Sequence, residues 1–183
     1  HMMIFSGHIL EKLSKKHPEY GLTHREISVI STAAALHDIG KAAIDRTILD
    51  KKGKLTEEEF KIVKLHTILG ENILNKLKAY EDEPLMKYAK QICRHHHERF
   101  DGKGYPDGLS GDEIPLAAQV VSICDVYDAL ISKRPYKTAY SHEQAVLKIK
   151  NGECGVFNPL VLECFFECAD RFKQKLKEEG FLQ

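Results

Sequence analysis

Apolar positions recur at three- and four-residue spacing along most of the chain, and strict alternation is scarce, so the pattern predicts helices rather than strands. Thr23-His24-Arg25-Glu26 opens one helix as a capping box, in which the Thr hydroxyl and the Glu carboxylate each satisfy an orphan amide. Ile27, Ile30, Ala34 and His37 follow at helical spacing, with Gly40 near the end. A loop through Lys51-Lys52-Gly53-Lys54 leads to a second box, Thr56-Glu57-Glu58-Glu59. Its helix is predicted to bury Phe60, Val63, Leu69, Ile73 and Leu77, with His66 on the same stripe. Pro84 suits the first turn of a third helix, whose stripe Leu85, Ala89, Ile92 arrives at His96.

Beyond a Gly- and Pro-rich loop over 100–108, Pro115 opens a helix from Leu116 to about Ser132 that is apolar on nearly all sides and therefore central. Ser141 caps a helix through Ile149, and Asn158-Pro159 begins the last, which ends in a charged tail. No internal repeat or low-complexity linker marks a second domain. The expected fold class is all-α, one domain over 1–183 built as a helical bundle of roughly seven or eight helices.

Composition narrows the function classes. Lys+Arg 27 against Asp+Glu 27 gives zero formal charge, which argues against wrapping a nucleic-acid polymer and against a polybasic membrane patch. An anionic small molecule stays open, because local cations or metals supply charge that a formula count misses. No apolar run reaches the length of a membrane span, and no signal-peptide pattern opens the chain. The cysteines (Cys93, Cys124, Cys154, Cys164, Cys168) form no CxxC pair and suit reduced core thiols of a cytoplasmic protein. His1-Met2, preceding Met3, reads as a cloning remnant.

The candidate chemistry lies where polar groups break the apolar stripes. His37, His66 and His96 each extend the buried face of a different helix, and Asp125 and Asp128 interrupt the most apolar helix one turn apart. A buried carboxylate is costly unless it is paired or holds a metal. Mixed His/Asp ligation without thiolate suits Fe, Mn, Ni, Co or Zn better than Ca or Mg. Blander alternatives stand beside this: His37-Asp38 as a helix C-terminal polar pair, Asp125 or Asp128 paired with Arg94 or Arg134, and loop 100–108 as a plain connector. His17, His24 and His142 read as surface or capping neighbours, and His95 as outward-facing or behind the site.

Taken together, Ala35-Leu36-His37-Asp38-Ile39-Gly40-Lys41, His66, His96-His97-Glu98-Arg99-Phe100-Asp101-Gly102-Lys103-Gly104-Tyr105-Pro106, Asp125-Val126-Tyr127-Asp128 and Arg134-Pro135-Tyr136-Lys137 resemble the HD-GYP family, from about Gly21 to about Leu162. These are bacterial metal-dependent phosphodiesterases of cyclic di-GMP within the HD superfamily. The resemblance implies metal ligation by His37, Asp38, His66, His96, His97 and Asp125, with Asp38 bridging two divalent transition metals, Fe or Mn foremost and Ni, Co or Zn after them. It gives Asp38 and Lys41 catalytic roles, Lys41 as a cation on the scissile phosphate. Arg134 and Lys137 would hold guanine or phosphate, and Tyr105 would shape the pocket mouth.

The implied reaction is attack of metal-activated hydroxide on phosphorus, converting cyclic di-GMP to pGpG and onward to GMP. The implied setting is the cytoplasmic output module of a longer signalling protein, with an N-terminal regulatory region preceding it. A diguanylate cyclase or adaptor would be the partner at the Gly-Tyr-Pro loop.

Departures from the family pattern define the alternatives. The family places a first-helix His where this chain has Ile9, with His8 one residue early, and an acidic ligand where it has Phe5. Either His8 substitutes through a shifted register or that ligand is lost, which favours a binuclear or depleted site. Ile44-Asp45-Arg46 and Lys52 also depart from the family's Pro-containing loop. The competing reading is an inactive domain that senses cyclic di-GMP or docks a protein. Another is hydrolysis of a different cyclic dinucleotide.

Overall fold

A computed structural model describes residues 1–132 and 139–181. Nine helices appear among them: α1 (Met2–Lys16), α2 (His24–Ala34), the single turn α3 (Arg46–Leu49), α4 (Glu57–Lys64), α5 (His66–Asn75), α6 (Pro84–His95), α7 (Leu116–Ile131), α8 (His142–Lys150) and α9 (Pro159–Glu178). With eight of these longer than one turn and no strand among the described residues, the all-α bundle expected from the sequence is what forms.

The start signals act as read. Thr23, Thr56 and Ser141 accept from the amides of Glu26, Glu59 and Gln144, and each of those three side chains returns to the cap amide. Pro84 and Pro159 occupy first turns. Helix α7 is the centre of the bundle, with Val120, Val121, Ile123, Cys124 and Tyr127 fully buried, and it packs on α1, α6, α8 and α9. Phe5, Tyr127, Phe165 and Phe172 gather where α1, α7 and α9 meet, their ring centroids 4.8–5.8 Å apart. Cys93, Cys124, Cys164 and Cys168 are buried as reduced thiols. No helix of the described residues is long and apolar enough to cross a membrane.

Three packing expectations fail. The helix from Thr56 does not run through: it ends at Lys64, and α5 starts afresh at His66. The bend at Leu65 breaks the stripe, so Phe60 (47 %) and Leu77 (46 %) are exposed while Thr67, Gly70 and Leu74 are buried. On α6, Leu85 faces solvent and Met86 takes the inward place. His142 follows the Ser141 cap as a capping neighbour but is buried rather than on the surface, with its Nδ1 2.8 Å from the Tyr127 hydroxyl.

The contact that positions the site lies between the 3₁₀ turn Ile39–Ala43 and α5. A Cβ on Gly40 would stand 1.9 Å from the His66 carbonyl oxygen and 2.5 Å from the Gly70 amide. Only glycine lets the two backbones meet. Gly40→Ala is therefore expected to cost about 2 kcal/mol through overpacking, a fall in Tm of roughly 4–8 °C by thermal denaturation.

Candidate metal centre

Six side chains expected from the sequence approach one another from four parts of the fold. His37 and Asp38 lie in the turn after α2, His66 is the first residue of α5, His96 and His97 follow α6, and Asp125 comes from the middle of α7. The same local device aims three of the imidazoles. His37 Nδ1 donates to the Ala34 carbonyl (2.9 Å), His66 Nδ1 to Val63 (2.6 Å) and His96 Nδ1 to Ile92 and Cys93 (2.9 and 3.1 Å). A carbonyl only accepts, so Nδ1 carries the proton in each ring and Nε2 is the atom turned inward.

Those Nε2 atoms converge on carboxylate oxygens. His66 Nε2 is 3.3 Å from His96 Nε2 and 3.4 Å from Asp38 Oδ1, and His96 Nε2 is 4.0 Å from that oxygen. Asp38 Oδ1 is buried and has no hydrogen-bond partner among the described residues. His37 Nε2 lies 3.4 Å from Asp38 Oδ2 and 3.7 Å from Asp125 Oδ1, and Lys41 Nζ donates to Asp38 Oδ2 (2.5 Å). Ligand nitrogens of His66, His96 and His97 all fall within 4.8 Å of one another.

Charge states follow from these positions. Burial pushes His96 down to about 3 and His97 down to about 2, and also lowers His66, so all three are neutral at ordinary pH. Burial works against the charged form of His37 too, but hydrogen bonds to Asp125 and Asp38 outweigh it and raise the imidazole to about 10. Burial likewise opposes ionisation of Asp125, yet His37 brings it down to about 2. Asp38 lies well below the usual carboxylate range for the same reason, with Lys41 adding to it.

This set fits a divalent transition metal. Two neutral imidazoles and one carboxylate oxygen turn lone pairs toward one another with no proton between them, and buried acceptors in that state are costly unless a cation joins them. Nitrogen and oxygen donors with Nδ1 fixed by backbone carbonyls are the usual supports of such an ion.

The loop beside the cluster is held by contacts to which no sequence signal pointed. Tyr105 stacks on His97, with centroids 4.7 Å apart and an interplanar angle of 24°. Glu98, 2 % exposed, accepts through Oε1 from the amides of Asp107 (2.7 Å) and Gly108 (3.2 Å). Gly104 rests on the Glu98 backbone, where a Cβ would come within 2.3 Å of Cα. Arg94 grips both oxygens of Asp107 at 2.7 Å and reaches Glu71 at 2.6 Å. The suggested pairing of Arg94 with Asp125 or Asp128 is thus replaced by a loop latch. Glu98 was visible as an acid directly after two ligand histidines; Arg94 left no local signal, since its partner is a distant loop residue.

Other expected residues lie apart from the cluster. Asp128 pairs with His1 (Nδ1 to Oδ1, 2.6 Å). His8 stacks on Phe172 and approaches Glu11 (3.9 Å), facing α9 instead of the cluster, while Ile9 and Phe5 are core residues. A shifted register therefore does not bring His8 in. His95 Nδ1 lies 3.4 Å from Asp107 Oδ2, behind the loop. Arg134 and Lys137 fall outside the described residues.

The protonation pattern generates a measurable consequence. His66, His96 and His97 are neutral and need lose no proton to bind a metal, whereas imidazolium His37 must lose one, so protons compete with metal at every pH below about 10. Affinity for Mn(II) is expected to rise with pH through neutrality. Calorimetric titration in buffers of different ionisation enthalpy should register release of about one proton per site at pH ~8; a release near zero would contradict the assignment.

Comparison with known proteins agrees with the fold. A family model described as "HD domain" matches residues 9–155. The chain is 47% identical over 135 residues to a "Probable cyclic di-GMP phosphodiesterase" of Vibrio cholerae, covering 73% of this chain and 31% of that protein. It is 38% identical over 165 residues to a "Cyclic di-GMP phosphodiesterase" of Thermotoga maritima, covering 88% and 44%. With the "3'3'-cGAMP-specific phosphodiesterase 2" of V. cholerae it shares 41% identity over 153 residues, covering 84% and 28%. The chain thus spans less than half the length of each. The solved structure of an HDG"Y"P protein from Bdellovibrio bacteriovorus matches with a TM-score of 0.65 at 22% identity, over 94% of this chain and 51% of that one, which speaks for the fold. The chain belongs to the HD domain family.

Proposed function

We propose that this chain is the output module of a longer signalling protein and hydrolyses cyclic di-GMP to pGpG, and further to GMP, in a metal-dependent reaction. The observation that carries the reading is the convergence of His66 Nε2, His96 Nε2 and the unpartnered Asp38 Oδ1, a site that demands a cation, in a relative of named cyclic di-GMP phosphodiesterases. His37, Asp38, His66, His96, His97 and Asp125 would hold two divalent ions, Fe or Mn foremost. Bound there, the ions would supply Lewis acidity to a water and charge neutralisation to the phosphate.

The chain's own groups do the rest. The turn after α2 presents Lys41 beside Asp38, where its ammonium can meet a phosphate oxygen. Tyr105, stacked on His97, would shape the pocket mouth. Arg134 and Lys137 are assigned to guanine and phosphate recognition, Arg by its planar fork. The same loop that carries Tyr105 would dock a diguanylate cyclase or adaptor, and the setting would be the bacterial cytoplasm.

Two specific observations favour second readings. A relative at 41% identity is named for 3'3'-cGAMP, so a mixed purine dinucleotide is the alternative substrate. The first helix contributes no ligand, since His8 faces α9, which suits a depleted site that senses cyclic di-GMP without cleaving it.

Protein loaded with Mn(II) or Fe(II) is expected to convert cyclic di-GMP to pGpG. Absence of product with metal bound would favour the sensor reading. Asp38→Ala should lose metal by elemental analysis and activity together, by at least about a hundredfold, more than loss of a supporting contact costs. Arg134→Ala should raise KM while metal content holds; activity that survives Asp38→Ala would show the site to be misassigned.

A further inference from the structure

Helix α4 ends at Lys64, two residues before His66, and the bend between them sends the two side chains to different places. His66 turns into the cluster. Lys64 crosses toward the loop, where its Nζ stands 5.0 Å from the centroid of the Tyr105 ring and 4.8 Å from that of Phe60. Tyr105 is itself stacked on His97. The order outward from the cluster is therefore imidazole, phenol ring, ammonium, and then the Phe60 ring, 47 % exposed on the surface.

Cations near the site differ in how they are engaged. Lys41 is bound to Asp38, and Arg94 to Asp107 and Glu71. Lys64 has no carboxylate partner among the described residues. Its contacts are two ring faces, which attract the charge but use none of its N–H donors. A half-buried ammonium with open donors, one aromatic ring away from a phosphate-cleaving centre, is placed to meet an anion.

We propose that Lys64 binds the second phosphate of the substrate. This rests on the cyclic-dinucleotide reading above. A cyclic dinucleotide carries two phosphodiesters held apart by its macrocycle, so when one lies at the cluster the other is displaced outward toward the rim. Lys64 provides a point charge there, and Tyr105 and Phe60 hold its stem so that little side-chain freedom is lost on binding. The residue would thereby select two-phosphate substrates over simple diesters.

The test compares metal-loaded wild type, Lys64→Met, which keeps the stem on the rings without the charge, and Lys64→Arg. Each is assayed on cyclic di-GMP and on bis(p-nitrophenyl) phosphate, which has a single phosphate. Lys64→Met is expected to raise KM for cyclic di-GMP and to lower the preference for it, as the ratio of kcat/KM values, by about tenfold, the loss of one charge-assisted contact. Lys64→Arg should restore most of the preference. An unchanged ratio, or loss of metal from Lys64→Met, overturns the assignment. Failure of the phosphodiesterase reading looks different: the wild type itself leaves cyclic di-GMP uncleaved. Calorimetric Kd values for cyclic di-GMP then decide, a roughly tenfold weakening in Lys64→Met supporting the role and equal values overturning it.

Discussion

Two imidazole nitrogens with their lone pairs facing at 3.3 Å are the constraint around which this fold is arranged. Each ring is fixed in that attitude by a backbone carbonyl three residues earlier, so neither can turn its Nε2 away without losing a hydrogen bond. The buried oxygen of Asp38 joins them with no partner of its own. An uncharged protein interior resists such an arrangement, and an unmet acceptor costs about 1–3 kcal/mol. A cation among these donors would meet that acceptor, while α7 and the aromatic group around Tyr127 provide a dense core elsewhere.

The loop over 100–108 is integrated with the same framework. Glu98 follows the ligand pair immediately and uses its carboxylate on two loop amides, so the residues that face the cluster and those that shape the loop are one continuous stretch. Arg94 joins α6 to this loop and, through Glu71, to α5. A change in the position of the loop is thereby felt at α5 and at α6, the helices from which His66, His96 and His97 are presented.

Much of this was legible because chemistry and periodicity disagree at few places in the sequence. Histidine and aspartate on apolar stripes are conspicuous, and capping boxes and helix-opening prolines mark the starts of α2, α4, α6, α8 and α9. The break at Leu65 was not legible: no Gly or Pro marks it, and it exists because His66 is pulled inward while Phe60 is not. Nor could periodicity place His142 against Tyr127 or His8 against Phe172, since both contacts are made across long sequence separations. The six cluster residues were nameable only as a set; their mutual distances come from how α5, α6 and α7 pack.

Gly40 meeting the backbone of α5 turns the separation between Asp38 and His66 into a hard stop. Most distances in a protein interior drift as side chains repack over evolutionary time. This one is gauged by main chain against main chain, with no rotamer in between. The hydrophobic layers around α7 are consequently free to accumulate substitutions, trading stability up or down, while the gap offered to the ion keeps its width.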